Sequence, residues 1–172
     1  ETGPDAINQL NWSKDNGAVL VKWLPNIQDM DPSNERYIPY YKKIIELDLP
    51  LLVHTGNEES FTRTNDRLGD PELLRLPLSL GVKVIAAHVA SSGKSDGYEN
   101  IDRLLAMMDE FPNLYADISS LTQINKRKNL GKVIRDKRLK GRLMYGTDYP
   151  LINTVIVNLS LIHISEPTRH RR

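Results

Sequence analysis

The 172-residue chain contains no cysteine. Disulfides, thiolate metal sites and a cysteine nucleophile are excluded together. Any bound metal must be held by nitrogen and oxygen donors. Long hydrophobic runs are missing as well, since no stretch approaches the ~20 apolar residues of a bilayer-spanning helix. No basic, then apolar, then small-residue leader opens the chain, so the expectation is a cytoplasmic protein with no membrane partner. Neither sign of charge is in excess. Lys and Arg total 23 against 22 Asp and Glu, a net charge of +1 that gives no footprint for nucleic acid. What is present suits one globular domain, or part of a larger one: 40% apolar and 26% charged residues.

The end of the chain differs from the rest. "LSLIHISEPTRHRR", Leu159 to Arg172, carries three Arg and one Glu. It resembles the conceptual translation of a sequencing adapter. The expected organisation is therefore a domain over 1–158 and an unstructured tail over 159–172. His163 and His170 fall in the tail, which leaves His54 and His88 as the histidines of the domain.

Hydrophobic patterning alternates between two periods. "GAVLVKWLP" is a β-branched apolar run closed by proline, which predicts a buried strand. "SNERYIPYYKKIIELDLP" predicts a helix capped by Ser33, with Tyr37, Tyr40, Tyr41, Ile44, Ile45 and Asp48 on one face. "LPLLVHTG" is a strand. "DPELLRLPLSLG" is a short helix with Asp70 at its cap, Pro71 at its first position and Gly81 at its end. "VKVIAAHV" is a strand, "YENIDRLLAMMDEF" an amphipathic helix and "NLYADIS" a strand. "QINKRKNLGKVIRDK" is a basic helix, and "GRLMYGTDYP" holds the last strand. Strand and helix alternate throughout, and the strands are short and apolar on both faces. That pattern predicts a parallel sheet covered by helices.

Each strand leads to a polar residue: Lys22, His54, His88, Asp117 and Asp148. They are separated by 32, 34, 29 and 31 residues. A βα unit takes roughly 30 residues, so the five recur once per unit at the same end of every strand, where parallel α/β folds bind ligands. A lone strand-end histidine is usually a hydrogen-bonded structural residue. Two His and two Asp at equivalent places argue for a site, because burying that many titratable groups without a purpose costs several kcal/mol. Two imidazoles and a carboxylate suit Zn²⁺, Mn²⁺ or Fe²⁺. Asp148 is then a general base or a direct ligand. Three donors make an incomplete site, and no HxH pair or HExxH helix occurs in the chain.

Several readings stay bland or rival at this point. Asp117 either orients a metal ligand from behind or tethers a loop. Glu58 and Glu59 read as solvated loop carboxylates. "VASSGKSDG" matches the end of a phosphate loop at Gly93, Lys94 and Ser95, but His88 stands where the first glycine belongs. An open, doubly wound sheet acting as a binding domain explains the βα repeat without the two rim histidines. Strand order separates it from a barrel.

"VKWLP", "LPLLVHTG", "VKVIAAHV", "NLYADIS" and "LMYGTDYP" together resemble the later strands of the amidohydrolase superfamily, in its amidohydrolase-related branch. That branch includes the aminocarboxymuconate-semialdehyde decarboxylase relatives. The resemblance covers about Asp5 to Pro150. It implies a partial (β/α)8 TIM barrel, about strands 4 to 8, and a divalent metal, zinc first, with manganese or iron as alternatives. It makes His54 the strand 5 ligand and His88 the strand 6 histidine, which binds a second ion or acts as a catalytic group. Asp148 becomes the strand 8 ligand and proton acceptor. Lys22 lies near the place where some members carry a carboxylated lysine that bridges two metals; it is read here first as a structural ion pair, then as a polar substrate contact, and last as a bridging residue. The implied activity is hydrolysis of an amide, ester or lactone of a small-molecule substrate, with non-oxidative decarboxylation as the alternative. The strand 1 HxH pair of the family is absent from this sequence, so this chain is expected to be inactive by itself. Its oligomeric state is left open.

Overall fold

The computed structural model describes residues 4–58, 64–121 and 127–148. Its centre is a parallel sheet of five strands. These are β1 (Val21–Trp23), β2 (Leu51–His54), β3 (Val84–Ala87), β6 (Leu114–Asp117) and β7 (Leu143–Met144), and they lie side by side in that order. The remaining two strands, β4 (Lys94–Ser95) and β5 (Tyr98–Glu99), form a separate antiparallel hairpin. The helices are α1 (Pro4–Asp15), α2 (Pro25–Gln28), α3 (Ile38–Glu46), α4 (Arg75–Ser79), α5 (Asn100–Glu110) and α6 (Arg127–Arg135). Neighbours in the main sheet follow chain order with no reversal. Among the described residues there is no switch point, so the rival open, doubly wound sheet is rejected. The fold is α/β, a partial barrel.

The strand period of two sorts residues cleanly. Leu51, Val53, Val84, Ala86, Leu114 and Ala116 face the helices and join the main hydrophobic core. Register pairs Lys22 with Leu52, Leu52 with Ile85, and Ile85 with Tyr115, so these four form one row on the opposite, inner face. His54 and Asp117, two residues further along their strands, project from that same inner face.

Helices α3, α4, α5 and α6 fall within the segments that the pattern predicts, with local differences. In α5, Ile101, Leu104, Leu105 and Met108 recur at helical spacing and are buried. The Arg142 guanidinium, just before β7, donates to the carbonyls of Met108 and Phe111 at 2.9 and 3.0 Å, satisfying the open end of α5. Trp23 packs on Tyr37, Tyr40 and Tyr41 at ring distances of 5.1, 5.3 and 5.6 Å, pinning β1 to α3. Asn34, not Ser33, is the cap of that helical segment, accepting from Arg36 N at 3.0 Å, because Ser33 is engaged with Asp31. Asp48 lies past the helix end with a φ of 48° and pairs in solvent with Lys83. Asp70 is the expected cap, accepting from Glu72 N at 3.0 Å, and it also holds Arg103. The first strand is shorter than predicted, and Val19 is exposed. The tail lies outside the described residues. Among the described residues no helix is long and apolar enough to cross a membrane.

Candidate functional site

β2 ends on His54, and its ring lies 5.0 Å from the His88 ring, edge to face. Both are buried. His88 is not in β3 but begins the turn after it. His88, Val89 and Ala90 have φ values of 62°, 50° and 48°. Three successive left-handed residues, none of them glycine and one β-branched, cost roughly 1–2 kcal/mol each. Such a turn persists only where its surroundings hold it. The turn closes on itself through Ser91 N to His88 O at 2.9 Å. Asp117 Oδ1 accepts from His88 N at 2.9 Å, and Thr55 Oγ1 accepts from Ala90 N at 3.1 Å.

The ring nitrogens of His88 are distinguished by their partners. Nδ1 lies 3.0 Å from Ser119 O and 2.8 Å from Ser119 Oγ. A carbonyl only accepts, so Nδ1 carries the hydrogen. The Ser119 hydroxyl donates in turn to Asp117 Oδ1, which leaves its lone pairs for His88. Asp117 also accepts from Ser119 N at 3.0 Å. The Nε2 lone pair is thereby directed to the side of Asp148, whose Oδ1 is 3.9 Å away.

His54 repeats this arrangement. Its Nδ1 is 3.5 Å from Glu58 Oε2, within ion-pair range, while its buried Nε2 has no hydrogen-bond partner. Burial first, then the neighbouring His88, lowers its pKa from 6.5 to about 4, so it is neutral at pH 7. Glu58 is buried, contrary to its reading as a solvated loop carboxylate. Its backbone N donates to Asp66 Oδ1 at 3.0 Å, and its carboxylate lies beside His54. Glu59 lies outside the described residues.

Asp148 sits beyond the end of β7 with a φ of 59°. Burial raises its pKa, and Asp117 and Glu58 add to this against Lys22 and His54. Lys22 is the middle residue of β1, not its end. It lies one inner layer below His54, about 6–7 Å along the strand direction. Lys22 is solvent-exposed, yet protein atoms crowd much of its surroundings. Desolvation therefore lowers its pKa despite the attraction of Asp117, Asp148 and Glu58. A cavity of about 410 Å³ between α1 and β1 is lined by Leu10, Trp23 and Tyr40, and shares Lys22 with the inner face.

The structure thus brings His54, His88 and Asp148 to one rim, with Asp117 behind His88 and Lys22 below. Sequence reasoning missed Thr55, Ser119 and the buried state of Glu58. The "HTG" and "DISS" stretches offered hydroxyls next to the predicted residues as the signal. The phosphate-loop rival is excluded: Lys94 enters the β4–β5 hairpin and pairs with Glu99 at 3.0 Å.

The family model described as Amidohydrolase matches residues 6–156. This chain belongs to the amidohydrolase family. No curated protein matches it. Among solved structures, the chain is similar to an uncharacterized TIM-barrel protein from Bordetella bronchiseptica. The TM-score is 0.68 at 18% identity, covering 94% of this chain and 54% of that one. It is also similar to a probable 2-pyrone-4,6-dicarboxylic acid hydrolase from Acinetobacter baumannii with citric acid bound. There the TM-score is 0.61 at 16% identity, covering 92% and 61%. For dihydroorotase from Campylobacter jejuni the TM-score is 0.52 at 16% identity, covering 88% and 50%. At these identities the likeness shows the fold. The chain spans about half to three fifths of the length of these proteins.

Members of the amidohydrolase superfamily generally use divalent metals. The rim fits such an ion in donor chemistry, with two imidazoles, a carboxylate and an orphaned Nε2 on His54. It fits less well in spacing. Donors around one Zn²⁺ at about 2.0–2.1 Å each lie roughly 3.3 Å apart, closer than His88 Nε2 and Asp148 Oδ1. Among the described residues no three His, Asp or Glu side chains are gathered to hold an ion.

Proposed function

We propose that this rim belongs to a metal-dependent hydrolase that activates water for attack on an amide, ester or lactone. The observation that supports it best is the pair of buried imidazoles 5.0 Å apart. Each has its Nδ1 turned to a protein oxygen, which leaves Nε2 as the donor. His54, His88 and Asp148 would hold the ion, zinc by preference for this donor set and manganese or iron otherwise. When bound, a divalent ion polarises a substrate carbonyl and makes water more acidic.

The other roles belong to the chain's own groups. Asp148 accepts the proton of the attacking water, and its raised pKa makes it a stronger base than a solvated aspartate. Ser119 and Asp117 hold His88 in place with its hydrogen on Nδ1, so that the Nε2 lone pair serves the ion. Asp117 orients His88 from behind. Lys22, below the rim, receives an anionic group of the substrate.

We place β1, β2, β3, β6 and β7 at strands 4 to 8 of a full barrel. We assign the chain to the branch that includes the aminocarboxymuconate-semialdehyde decarboxylase relatives. Residues 1–158 form the barrel unit and 159–172 a tail outside it. The protein is cytoplasmic and acts on a small molecule. With three donors, this chain alone holds the substrate better than it turns it over.

The Acinetobacter neighbour's name supplies a first probe, 2-pyrone-4,6-dicarboxylate, a cyclic ester with two carboxylates to meet Lys22. The zinc-loaded full chain, followed by NMR, is expected to bind it at the His54 and His88 resonances, with binding lost in Lys22→Gln. Ring opening should be slow or undetectable. Fast ring opening would refute the incomplete site, and release of CO₂ would move the assignment to a decarboxylase. Binding unchanged in Lys22→Gln would remove that residue from the substrate site.

A further inference from the structure

Thr55 follows His54 directly, and its side chain is buried. Its hydroxyl is used twice, and both times on the backbone of the next strand. Oγ1 donates to Ala87 O at 2.7 Å and accepts from Ala90 N at 3.1 Å. Those two atoms flank the left-handed turn: Ala87 ends β3, and Ala90 is the turn's third residue. Asp117 holds the other N–H of the turn, at His88. The turn is therefore gripped from both neighbouring strands, by Thr55 from the β2 side and by Asp117 from β6.

This grip bears on the imidazole. Unsupported L-residues relax out of the left-handed region toward right-handed or extended backbone. At His88 that change would rotate the Cα–Cβ bond and swing the ring off Ser119. Nδ1 would lose the carbonyl that fixes its hydrogen. We propose that Thr55 is a positioning residue for His88. Its hydroxyl splints the left-handed turn and so decides which imidazole nitrogen is protonated and where the other one points. The proposal rests on the hydrolase reading for its functional consequence only, because the ring state can be measured with no metal or substrate present.

The test uses the full chain with ¹⁵N-labelled histidine and long-range ¹H–¹⁵N correlation at neutral pH. The His88 signals are assigned by their loss in His88→Gln. The wild-type protein should show His88 as one Nδ1–H tautomer. Thr55→Val keeps the shape and removes the hydroxyl, and should shift the two ring nitrogens toward the averaged positions of a tautomer mixture. Thr55→Ser keeps the hydroxyl and should restore the wild-type positions. If Thr55→Val does not fold, Thr55→Val combined with Ala90→Gly lets the turn keep its left-handed backbone without the hydroxyl, and should move the ring nitrogens back toward the wild-type positions. A purely packing role makes the opposite forecast: valine as good as threonine, and serine worse. Wild-type His88 signals in the folded valine variant, or a tautomer mixture that persists in the double variant, would overturn the proposal. So would an Nε2–H tautomer in the wild type, or failure of serine to restore it. Absence of metal binding would count against the hydrolase reading and leave this result untouched.

Discussion

His54 shows how one side chain couples the site to stability. Its native pKa is about 4 against 6.5 when solvated, because burial and His88 disfavour the imidazolium. Between those values the unfolded chain binds more protons than the native one. Stability is therefore fully present above about pH 6.5 and is lost as pH falls toward 4, by up to about 3 kcal/mol. Asp148 acts in the opposite sense. Its raised pKa makes the native state hold a proton longer as pH rises above 3.8, which favours the fold at the acid end of the same window. A comparison of variants isolates the histidine. Chemical denaturation at pH 7 and pH 4.5 should show a large acid loss in wild type and a smaller one in His54→Gln. Equal losses in the two proteins would show that His54 is not the buried neutral group described here.

Elements differ in how much of them could be read before the fold was known. The βα rhythm was legible because strands and helices bury different periods. Val53 and Leu114 face the helices while His54 and Asp117 on the same strands face inward. Asp70 was legible as a cap because Pro71 follows it. The β4–β5 hairpin was not recognised, although Asp96 and Gly97, with φ of 50° and 84°, are the Asp-Gly pair that such turns favour. The left-handed turn at His88 was beyond reach. Val89 and Ala90 carry no local preference for it, and it exists through Thr55 and Asp117, distant in sequence. Glu58 was out of reach too, since its backbone is tied to Asp66, eight residues on, and its buried carboxylate lies beside His54.

α5 is the element on which packing is easiest to test. Leu104 is fully buried against the core, whereas Ile134 of α6 is 62% exposed. Leu104→Ala should cost about 2–5 kcal/mol of unfolding free energy. Ile134→Ala should stay within about 0.5 kcal/mol of wild type. Similar losses at both sites would mean that α5 is not seated as described.

At the scale of the whole molecule, the order β1-β2-β3-β6-β7 lays successive βα units around one rim. Any residue just past a strand then joins a common site, which is how histidines from two units come to touch. Among the described residues, β1 and β7 each pair on one side only, and the inner row of Lys22, Leu52, Ile85 and Tyr115 faces no second layer of strands. The donor set is correspondingly open, with three donors and spacing wider than a single ion requires. The central claim is that His54 and His88, with Asp148, form one metal-holding rim. It is tested most directly by calorimetric titration of the full chain with Zn²⁺, in parallel with His54→Ala and His88→Ala. The account predicts one weak site in wild type, with affinity reduced at least ~10-fold in either variant. Zinc binding of unchanged strength and stoichiometry in both variants would contradict it.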